Sequence, residues 1–199
     1  MSNVGLLLSG GMDSYALAYQ EKPDVAVTID YGQLPAQAEI KASTILTNRL
    51  NIQHIIFSTD LSAIGSGDLC GKPAIKSAPV SEWWPYRNQF LITVAAMCLI
   101  PLGIKRLLIA AVNTDLIHCD GTKEFIEMSS KVLSMQEGGM KVEAPAINIS
   151  TAELVKQSNI PFSLLAWSHS CHTDNIACGQ CGGCRKHRKV VAELGYVET

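Results

Sequence analysis

The sequence predicts an α/β fold in which a parallel sheet of five strands is covered by helices on both faces. Short apolar runs alternate with segments of helical periodicity through the first three quarters of the chain. The 199 residues, of which 47% are hydrophobic, suffice for one domain with a full core. Periodicity is lost in a Cys/Gly/His-rich tail. We therefore expect an α/β domain over 1–160 and a small metal-binding module, packed on it, over 161–199.

The predicted elements follow in order along the chain. Apolar runs predict the strands, of which the first three are expected to be buried on both faces: 4–8, 25–30, 54–58, 107–112 and 144–149. Helical spacing predicts helices over 14–21, 36–50, 87–99, 122–136 and 186–194. Ser150 and Glu153 form the pattern of a capping box, which predicts one more helix beginning after Ser150.

Composition excludes several functional classes. The 16 Lys and Arg residues against 18 Asp and Glu give a charge of −2, which argues against a large basic face for nucleic acid. The longest apolar run, 90–100, is well short of the ~20 residues that span a bilayer. No export signal is found, and four of seven cysteines crowd into 171–184. We therefore expect a cytoplasmic protein with a metal site rather than a disulfide scaffold.

A glycine loop directly follows the first predicted strand. After Leu8, the segment Ser9-Gly10-Gly11-Met12-Asp13-Ser14 opens a helix. The paired glycines allow a tight turn that exposes N–H groups, and a helix N-terminus favours anions. A plain strand–helix turn would also need glycines, so the bare loop leaves both interpretations open. Asp13 is expected to hold the loop or a Mg²⁺ ion.

The second strand ends in Asp30-Tyr31-Gly32-Gln33. Ligands of open parallel sheets bind beyond the carboxyl ends of strands, so Asp30, Tyr31 and Gln33 are candidates for contacting adenosine or the substrate. A polar strand end with a glycine turn is an equally good interpretation of these residues.

Arg87 and Asn88 stand at the start of a predicted buried helix, after Trp83-Trp84-Pro85-Tyr86. An arginine there is unfavourable for the helix dipole, so an anion is expected to compensate it. A carboxylate or phosphate of a ligand suits the guanidinium fork, although Glu82 could also pair with it.

Cysteine spacing gives the strongest metal signal. Cys171 is followed by Cys178, Cys181 and Cys184 in two C-x-x-C steps, and each step places two thiolates on one tetrahedron. Tight spacing favours a closed, structural zinc site. An iron–sulfur cluster also accepts four cysteines and stays open, while redox thiols or disulfides fit less well.

Four motifs together resemble one known family. SGGMDS resembles the pyrophosphate-binding loop of the PP-loop ATP pyrophosphatase superfamily, and with DYGQ, PYRN and the CxxCxxC tail the chain resembles the 7-cyano-7-deazaguanine synthase family of the queuosine pathway. The resemblance implies an adenine-nucleotide α-hydrolase-like fold and adenylation of 7-carboxy-7-deazaguanine by ATP with Mg²⁺. It implies that residues 8–14 and Asp30 bind ATP and that Asp13, Arg87 and Asn88 act in catalysis. Tyr31, Gln33, Arg87, Asp115 and Asp120 then belong to the substrate site.

Departures from the family pattern cluster where the base or the amine should bind. Leu34-Pro35 stands where Arg-His is usual, and the 112–121 loop lacks the usual Tyr, Gly and Pro positions. Two alternatives therefore stay open. A macromolecular amine such as a protein N-terminus could intercept the adenylate, as in family relatives from antiviral defence, or the chain could be a nucleotide-binding subunit without turnover. A homodimer is also left open.

Overall fold

The computed structural model describes residues 3–115 and 118–196, except for the side chain of Asp115. Five strands form one parallel sheet in the order β3-β2-β1-β4-β5, which confirms the predicted fold class. The strands are β1 (Val4–Leu7), β2 (Val25–Asp30), β3 (Gln53–Ser58), β4 (Arg106–Leu108) and β5 (Lys141–Glu143).

Seven α-helices connect and follow the strands in the described part of the chain. They are α1 (Met12–Glu21), α2 (Ala36–Leu50), α3 (Arg87–Leu99), α4 (Lys123–Ser134), α5 (Thr151–Ser158), α6 (Phe162–Leu165) and α7 (Gly182–Glu193). Helices α2 and α3 have the predicted bounds. The predicted capping box at α5 is confirmed, because Ser150 Oγ accepts from Glu153 N at 3.2 Å and Glu153 Oε2 accepts from Ser150 N at 2.7 Å. None of these helices is long and apolar enough to cross a bilayer.

Two buried clusters cover the two faces of the sheet. The first joins β1 to α1, α2, α5 and α7 through residues such as Leu6, Leu17, Leu46, Leu154 and Val190. The second joins β2 and β4 to α3 and α4 through residues such as Val27, Ile92, Leu107 and Ile126. Because α7 contributes to the first cluster, the cysteine-rich tail is anchored on the core of the α/β fold.

Strand order places the glycine loop where ligands bind in such sheets. From β1 the chain runs to β2 and β3 on one side, whereas β4 and β5 lie on the other side. The order therefore reverses between β1 and β4. The loop 8–11, which leaves the carboxyl end of β1, stands at this reversal, where a crevice opens between the connections.

Three strand predictions need correction. Strand β3 is at the sheet edge, so Ile56 and Phe57 are 47% and 38% exposed instead of buried on both faces. Strand β4 is 106–108 and not 107–112, although Ile109 N still donates to the carbonyl of Glu143 at 2.9 Å. The fifth strand is 141–143 and not 144–149. Pro145 cannot donate in a ladder, and the following residues form successive turns.

The tail helix begins earlier than predicted. Helix α7 starts at Gly182 rather than at residue 186, inside the cysteine motif, because Cys181 acts as its N-cap and Cys181 Sγ accepts the backbone N–H of Cys184 at 3.4 Å. The one-turn helix α6 also lies in a segment for which periodicity predicts no helix. The start of α7 and the presence of α6 depend on capping and tertiary packing. Neither effect produces a periodic pattern of apolar residues in the sequence.

Candidate active site

A cavity of about 370 Å³ lies beyond the carboxyl ends of β1 and β2. The glycine loop forms one wall, the start of α3 a second, and the cysteine-rich tail with α7 a third. Residues 109–111, after β4, complete the lining next to Asp120. The volume lies within the range of roughly 300–1,000 Å³ that is typical of small-molecule sites.

The glycine loop has a conformation that requires Gly10. The φ angle of Gly10 is +78°, and a Cβ atom there would lie 2.7 Å from the carbonyl oxygen of Glu39. Ser9 Oγ and Ser14 Oγ share a hydrogen bond of 3.2 Å across the turn, and Ser14 Oγ donates to the carbonyl of Gly11 at 2.9 Å. This turn points the N-terminus of α1 into the cavity, where an anion is stabilised by the backbone N–H groups and the helix dipole.

The cysteine-rich tail contacts this loop directly. His169 N donates to the carbonyl of Gly10 at 2.8 Å. Lys186 of α7 lies in the cavity wall, and its Nζ is 3.0 Å from Asp13 Oδ2 in a partly buried ion pair. Asp13, which is predicted to hold the loop or a Mg²⁺ ion, therefore lies beside a cation from the other end of the chain. Leu8 and Met12 also line the cavity, although both are largely buried in the core.

Arg87 lies on the opposite wall, at the first residue of α3. Its Nε donates to Asn88 Oδ1 at 3.4 Å, and both residues line the cavity. In the described part of the chain no carboxylate is within salt-bridge distance of Arg87. Glu82, the acid that the sequence offers as a partner, has its Oε1 3.9 Å from Nδ1 of His172 instead. The guanidinium is thus available to an anionic ligand, and Trp84 behind it is core.

The residues at the end of β2 fall into two groups. Tyr31 lines the cavity, stacks edge-on against Trp84 with ring centroids 5.1 Å apart, and has its pKa raised by burial. Asp30 and Gln33 lie behind the lining: Asp30 Oδ1 accepts from Gly32 N at 3.1 Å, and Gln33 is 4% exposed. Direct ligand contacts by Asp30 and Gln33 therefore stay predictions.

Glu39, which no sequence motif indicates, is the acidic residue of the cavity beside Tyr31. It lies in the first turns of α2, and Gln33 Nε2 donates to its Oε2 at 2.7 Å. Burial raises the pKa of Glu39 to about 7, although the hydrogen bond from Gln33 and the charge of Arg87 lower it in part. A carboxyl group with such a pKa can exchange protons near neutral pH.

The remaining predicted substrate residues lie at the far side. Asp120 belongs to the short turn 119–121 and lines the cavity. The side chain of Asp115 lies outside the described residues, so its predicted contact with substrate is still a prediction. Of the departures from the family pattern, Leu34 is 43% exposed and lies against Gly71.

The four predicted cysteines come together in a group that could hold a metal ion. The sulfur atoms of Cys171, Cys178, Cys181 and Cys184 all lie within 4.8 Å of one another. Two of the pairs, Cys178–Cys184 and Cys171–Cys181, are 3.9 Å apart. A tetrahedron with Zn–S bonds of ~2.3 Å has sulfur–sulfur edges of about 3.8 Å, so the cluster fits a tetrahedral ion.

Backbone N–H groups surround these sulfur atoms. Cys178 Sγ accepts from Gln180 N and Cys181 N at 3.4 Å, and Cys181 Sγ accepts from His172 N at 3.3 Å. Hydrogen bonding, first from the hydroxyl of Thr173, lowers the pKa of Cys178 to about 5, whereas burial raises the pKa of Cys184 to about 12. A metal ion therefore has to displace a proton from the buried thiol.

Two cavity residues escape prediction from sequence. Glu39 stands six positions after Gln33 inside an ordinary helix, and nothing local marks it. Lys186 belongs to a basic run that is typical of a solvated helix face, and its position two residues after Cys184 is the single available signal. Both become visible only when α2 and α7 are packed against the glycine loop.

Comparison with known proteins identifies one family. The family model described as "Queuosine biosynthesis protein QueC" matches residues 4–195. Curated relatives named 7-cyano-7-deazaguanine synthase include those of Methanococcus maripaludis, 25% identical over 96% of this chain and 95% of the relative, and of Porphyromonas gingivalis, 28% identical over 98% and 94%. The relative of Thermoplasma volcanium is 29% identical over 97% of this chain and 88% of its own length. The match spans the glycine loop, Arg87 and the four cysteines, and the chain belongs to the QueC family of queuosine biosynthesis proteins.

Proposed function

We propose that this chain converts 7-carboxy-7-deazaguanine into 7-cyano-7-deazaguanine, with ATP cleaved to AMP and pyrophosphate. The observation that carries the proposal is that the glycine loop and Arg87 open into one cavity. One wall is suited to phosphates and the opposite wall to a carboxylate. The names of the relatives support the choice of substrate and product.

Activation begins with ATP on the glycine loop. The N–H groups of residues 9–14 and the α1 dipole bind the β and γ phosphates, and Mg²⁺ with Lys186 offsets their charge. Asp13, already beside Lys186, is the acidic group that would hold Mg²⁺. The substrate carboxylate attacks the α phosphorus, the bond to the bridging oxygen breaks, and pyrophosphate leaves. The product is an acyl-adenylate.

Arg87 holds the attacking carboxylate. Its planar guanidinium matches a carboxylate in a bidentate arrangement, and Asn88 Oδ1 restricts its rotation through the 3.4 Å hydrogen bond. Because the loop and Arg87 lie on facing walls, the carboxylate oxygen and the α phosphorus are brought into line. Such positioning replaces a bimolecular encounter and is a large part of the rate enhancement.

Nitrogen enters in the second half of the reaction. Ammonia attacks the acyl carbon, the bond to the adenylate oxygen breaks, and AMP departs. The nitrogen loses one proton to water, and the product is the amide. A second ATP adenylates the amide oxygen. Loss of the nitrogen-bound protons together with AMP then gives the nitrile. Each step uses the same loop and the same carboxylate wall.

The metal site has a structural role in this scheme. Four thiolates would fill the coordination of a zinc ion, so such an ion would crosslink the tail and would not supply hydrolytic chemistry. The tail in turn holds His169 against Gly10 and Lys186 against Asp13. The cysteines thus support the phosphate wall of the cavity.

Product analysis tests the proposal. The chain is incubated with 7-carboxy-7-deazaguanine, ATP, Mg²⁺ and ammonium, and the nucleobases are followed by mass spectrometry. We expect the amide and then the nitrile, with AMP and pyrophosphate. Asp13→Ala should abolish all four products without loss of fold, while Glu127→Gln on the exposed face of α4 serves as the control. ADP and phosphate as products would contradict the assignment.

The same assay decides between the acceptors left open by the sequence. Nitrile formation from ammonium alone, at a rate that added protein does not change, excludes a macromolecular amine. A protein that gains the mass of the deazaguanine acyl group, with AMP but without nitrile, would replace ammonia as the acceptor. Binding of ATP without any product would indicate a nucleotide-binding subunit.

A further inference from the structure

Glu39 is a cavity carboxylate that lies near both of the walls used in the proposed reaction. Its carbonyl oxygen would be 2.7 Å from a Cβ at Gly10, so this turn of α2 packs against the phosphate loop. Its side chain accepts from Gln33, which follows β2, and both Tyr31 after β2 and Arg87 of α3 line the same cavity. Glu39 is thus close to the walls assigned to the phosphates and to the substrate carboxylate.

The carboxylate of Glu39 is held in place from behind by Gln33. The amide nitrogen of Gln33 donates to Glu39 Oε2 at 2.7 Å and to the carbonyl of Ile29 at 3.1 Å, while its oxygen accepts from Tyr31 N at 2.8 Å. Both polar atoms of the Gln33 side chain are engaged in these contacts. In the described part of the chain, Oε1 of Glu39 makes no hydrogen bond, so one oxygen is oriented and the other can meet a ligand.

Capture of the adenylate requires a proton acceptor. At neutral pH most ammonia in solution is ammonium, which has no lone pair to attack the acyl carbon. A group inside the cavity that takes a proton from bound ammonium makes this larger pool of nitrogen able to attack. An efficient general base has a pKa close to the working pH, and the raised pKa of Glu39 meets this requirement.

We propose that Glu39 is the general base that deprotonates ammonium for attack on the acyl-adenylate. One N–H bond of ammonium breaks and its proton passes to Glu39 Oε1. The nitrogen lone pair forms the C–N bond, and the C–O bond to AMP breaks with its electrons on the leaving phosphate. A second proton then passes from the nitrogen to water, which leaves the neutral amide. The inference rests on the proposed function. It assigns Glu39 a role only in the second half of the reaction, in which nitrogen captures the acyl-adenylate.

A carboxylate in this position has one competing role. It could instead accept hydrogen bonds from the N–H groups on the ring edge of the deazaguanine. In that case its loss would weaken binding of the acid before any nitrogen enters. The two roles differ in the half-reaction that they affect, and separate measurements of the halves distinguish them.

The experiment compares two nucleophiles on wild type and Glu39→Gln. Glutamine keeps the acceptor oxygen that Gln33 contacts but cannot take the proton. We expect acid-dependent exchange of labelled pyrophosphate into ATP to change by less than about threefold, while capture of ammonia falls by about 100-fold or more. Hydroxylamine, which is largely unprotonated at neutral pH, needs no base before attack. Hydroxamate formation by Glu39→Gln should therefore stay close to that of wild type and also shows that the variant is folded.

The pH dependence supplies a second readout. The groups that face Glu39 are Asp30 and Tyr31 from the end of β2 and Arg87 from α3, with Asp13 and Lys186 across the cavity. These groups are present in both proteins, so their direct effects on the rate largely cancel in the ratio of wild-type to variant rates. Because free ammonia becomes abundant at high pH, this ratio should fall steadily above neutral pH. A ratio that does not change with pH contradicts the proposal.

Other outcomes are equally decisive. A large rise in the KM of the acid in the exchange reaction, with both nucleophiles affected alike, would assign Glu39 to substrate recognition and overturn the inference. Ammonia capture that Glu39→Gln leaves intact would also overturn it. If wild type itself shows no acid-dependent exchange, the proposed function fails, and this result is separate from any effect of the variant.

Discussion

Single residues at the cavity meet several structural requirements at once. Gly10 combines a left-handed backbone with close approach to Glu39, so any side chain there would displace α2 as well as strain the loop. Gln33 is predicted from its motif to contact substrate, yet its amide is committed to Ile29, Tyr31 and Glu39. A motif residue can thus act through a neighbour that the motif does not include, and a single sequence does not reveal which neighbour.

Glu39 should lower the stability of the protein as pH rises. Its pKa is about 7 in the folded chain and lower in the unfolded chain, so the folded state retains a proton that the unfolded state loses between the two values. The folded state is therefore favoured below the unfolded pKa and loses this advantage as pH rises to about 7. Glutamine at position 39 does not titrate.

Calorimetry of Glu39→Gln checks this expectation. The Tm of the variant relative to wild type should rise between pH 5 and pH 8 by several degrees, since about 1 kcal/mol corresponds to roughly 2–4 °C in a chain of this size. Glu127→Gln, at a side chain that is 60% exposed, should show no such trend. A difference between Glu39→Gln and wild type that is constant with pH would contradict the raised pKa.

At the scale of elements, helices are better predicted from the sequence than strands. The bounds of α2 and α3 follow from the sequence pattern, because α2 has an apolar face for the core and α3 is apolar over most of its length. The strands β4 and β5 have three residues each and pair over short registers, so the apolar runs 107–112 and 144–149 say little about where the ladder begins and ends. Helix α7 starts at Gly182 because of a sulfur N-cap, which has no signal in hydrophobic periodicity.

Helix α7 should contribute to ATP binding through Lys186. Replacement of the ammonium by an apolar side chain removes a cation from the phosphate wall, and a charged hydrogen bond of this kind contributes about 1.5–3 kcal/mol. Lys186→Met should therefore raise the KM for ATP by about tenfold or more in steady-state kinetics. Lys189→Met, on the same helix but 77% exposed, is the matched control. Equal KM values for ATP in the two variants would show that Lys186 does not contribute to ATP binding.

The cysteine module should hold a structural metal. Purified protein is expected to contain about one zinc ion per chain by elemental analysis, without visible absorbance. Cys178→Ser should lose the metal and lower Tm, whereas Cys119→Ser, at an exposed cysteine outside the cluster, should change neither. Metal uptake by the apoprotein should release protons, because the Cys184 thiol is protonated without the metal. Stoichiometric iron with visible colour would identify an iron–sulfur cluster instead.

At the scale of the whole molecule, the site is a meeting point of distant segments. The glycine loop, the end of β2, the start of α3 and the tail are separated by up to 173 positions along the chain, as in the pair Asp13–Lys186. Sequence motifs predict the four segments and the parallel sheet that brings three of them together. They do not predict that the tail closes over the loop, because that contact depends on packing of Val190 and Val191 into the first core cluster.

Exchange of labelled pyrophosphate into ATP tests most directly whether this cavity activates a carboxylate. The assay contains the protein, ATP, Mg²⁺ and 7-carboxy-7-deazaguanine, with no source of nitrogen. Because adenylation is reversible while both products stay available, the label should enter ATP only when the acid is present, and Arg87→Met should abolish the exchange. Exchange that does not need the acid, or acid-dependent release of ADP and phosphate without exchange, would contradict the account.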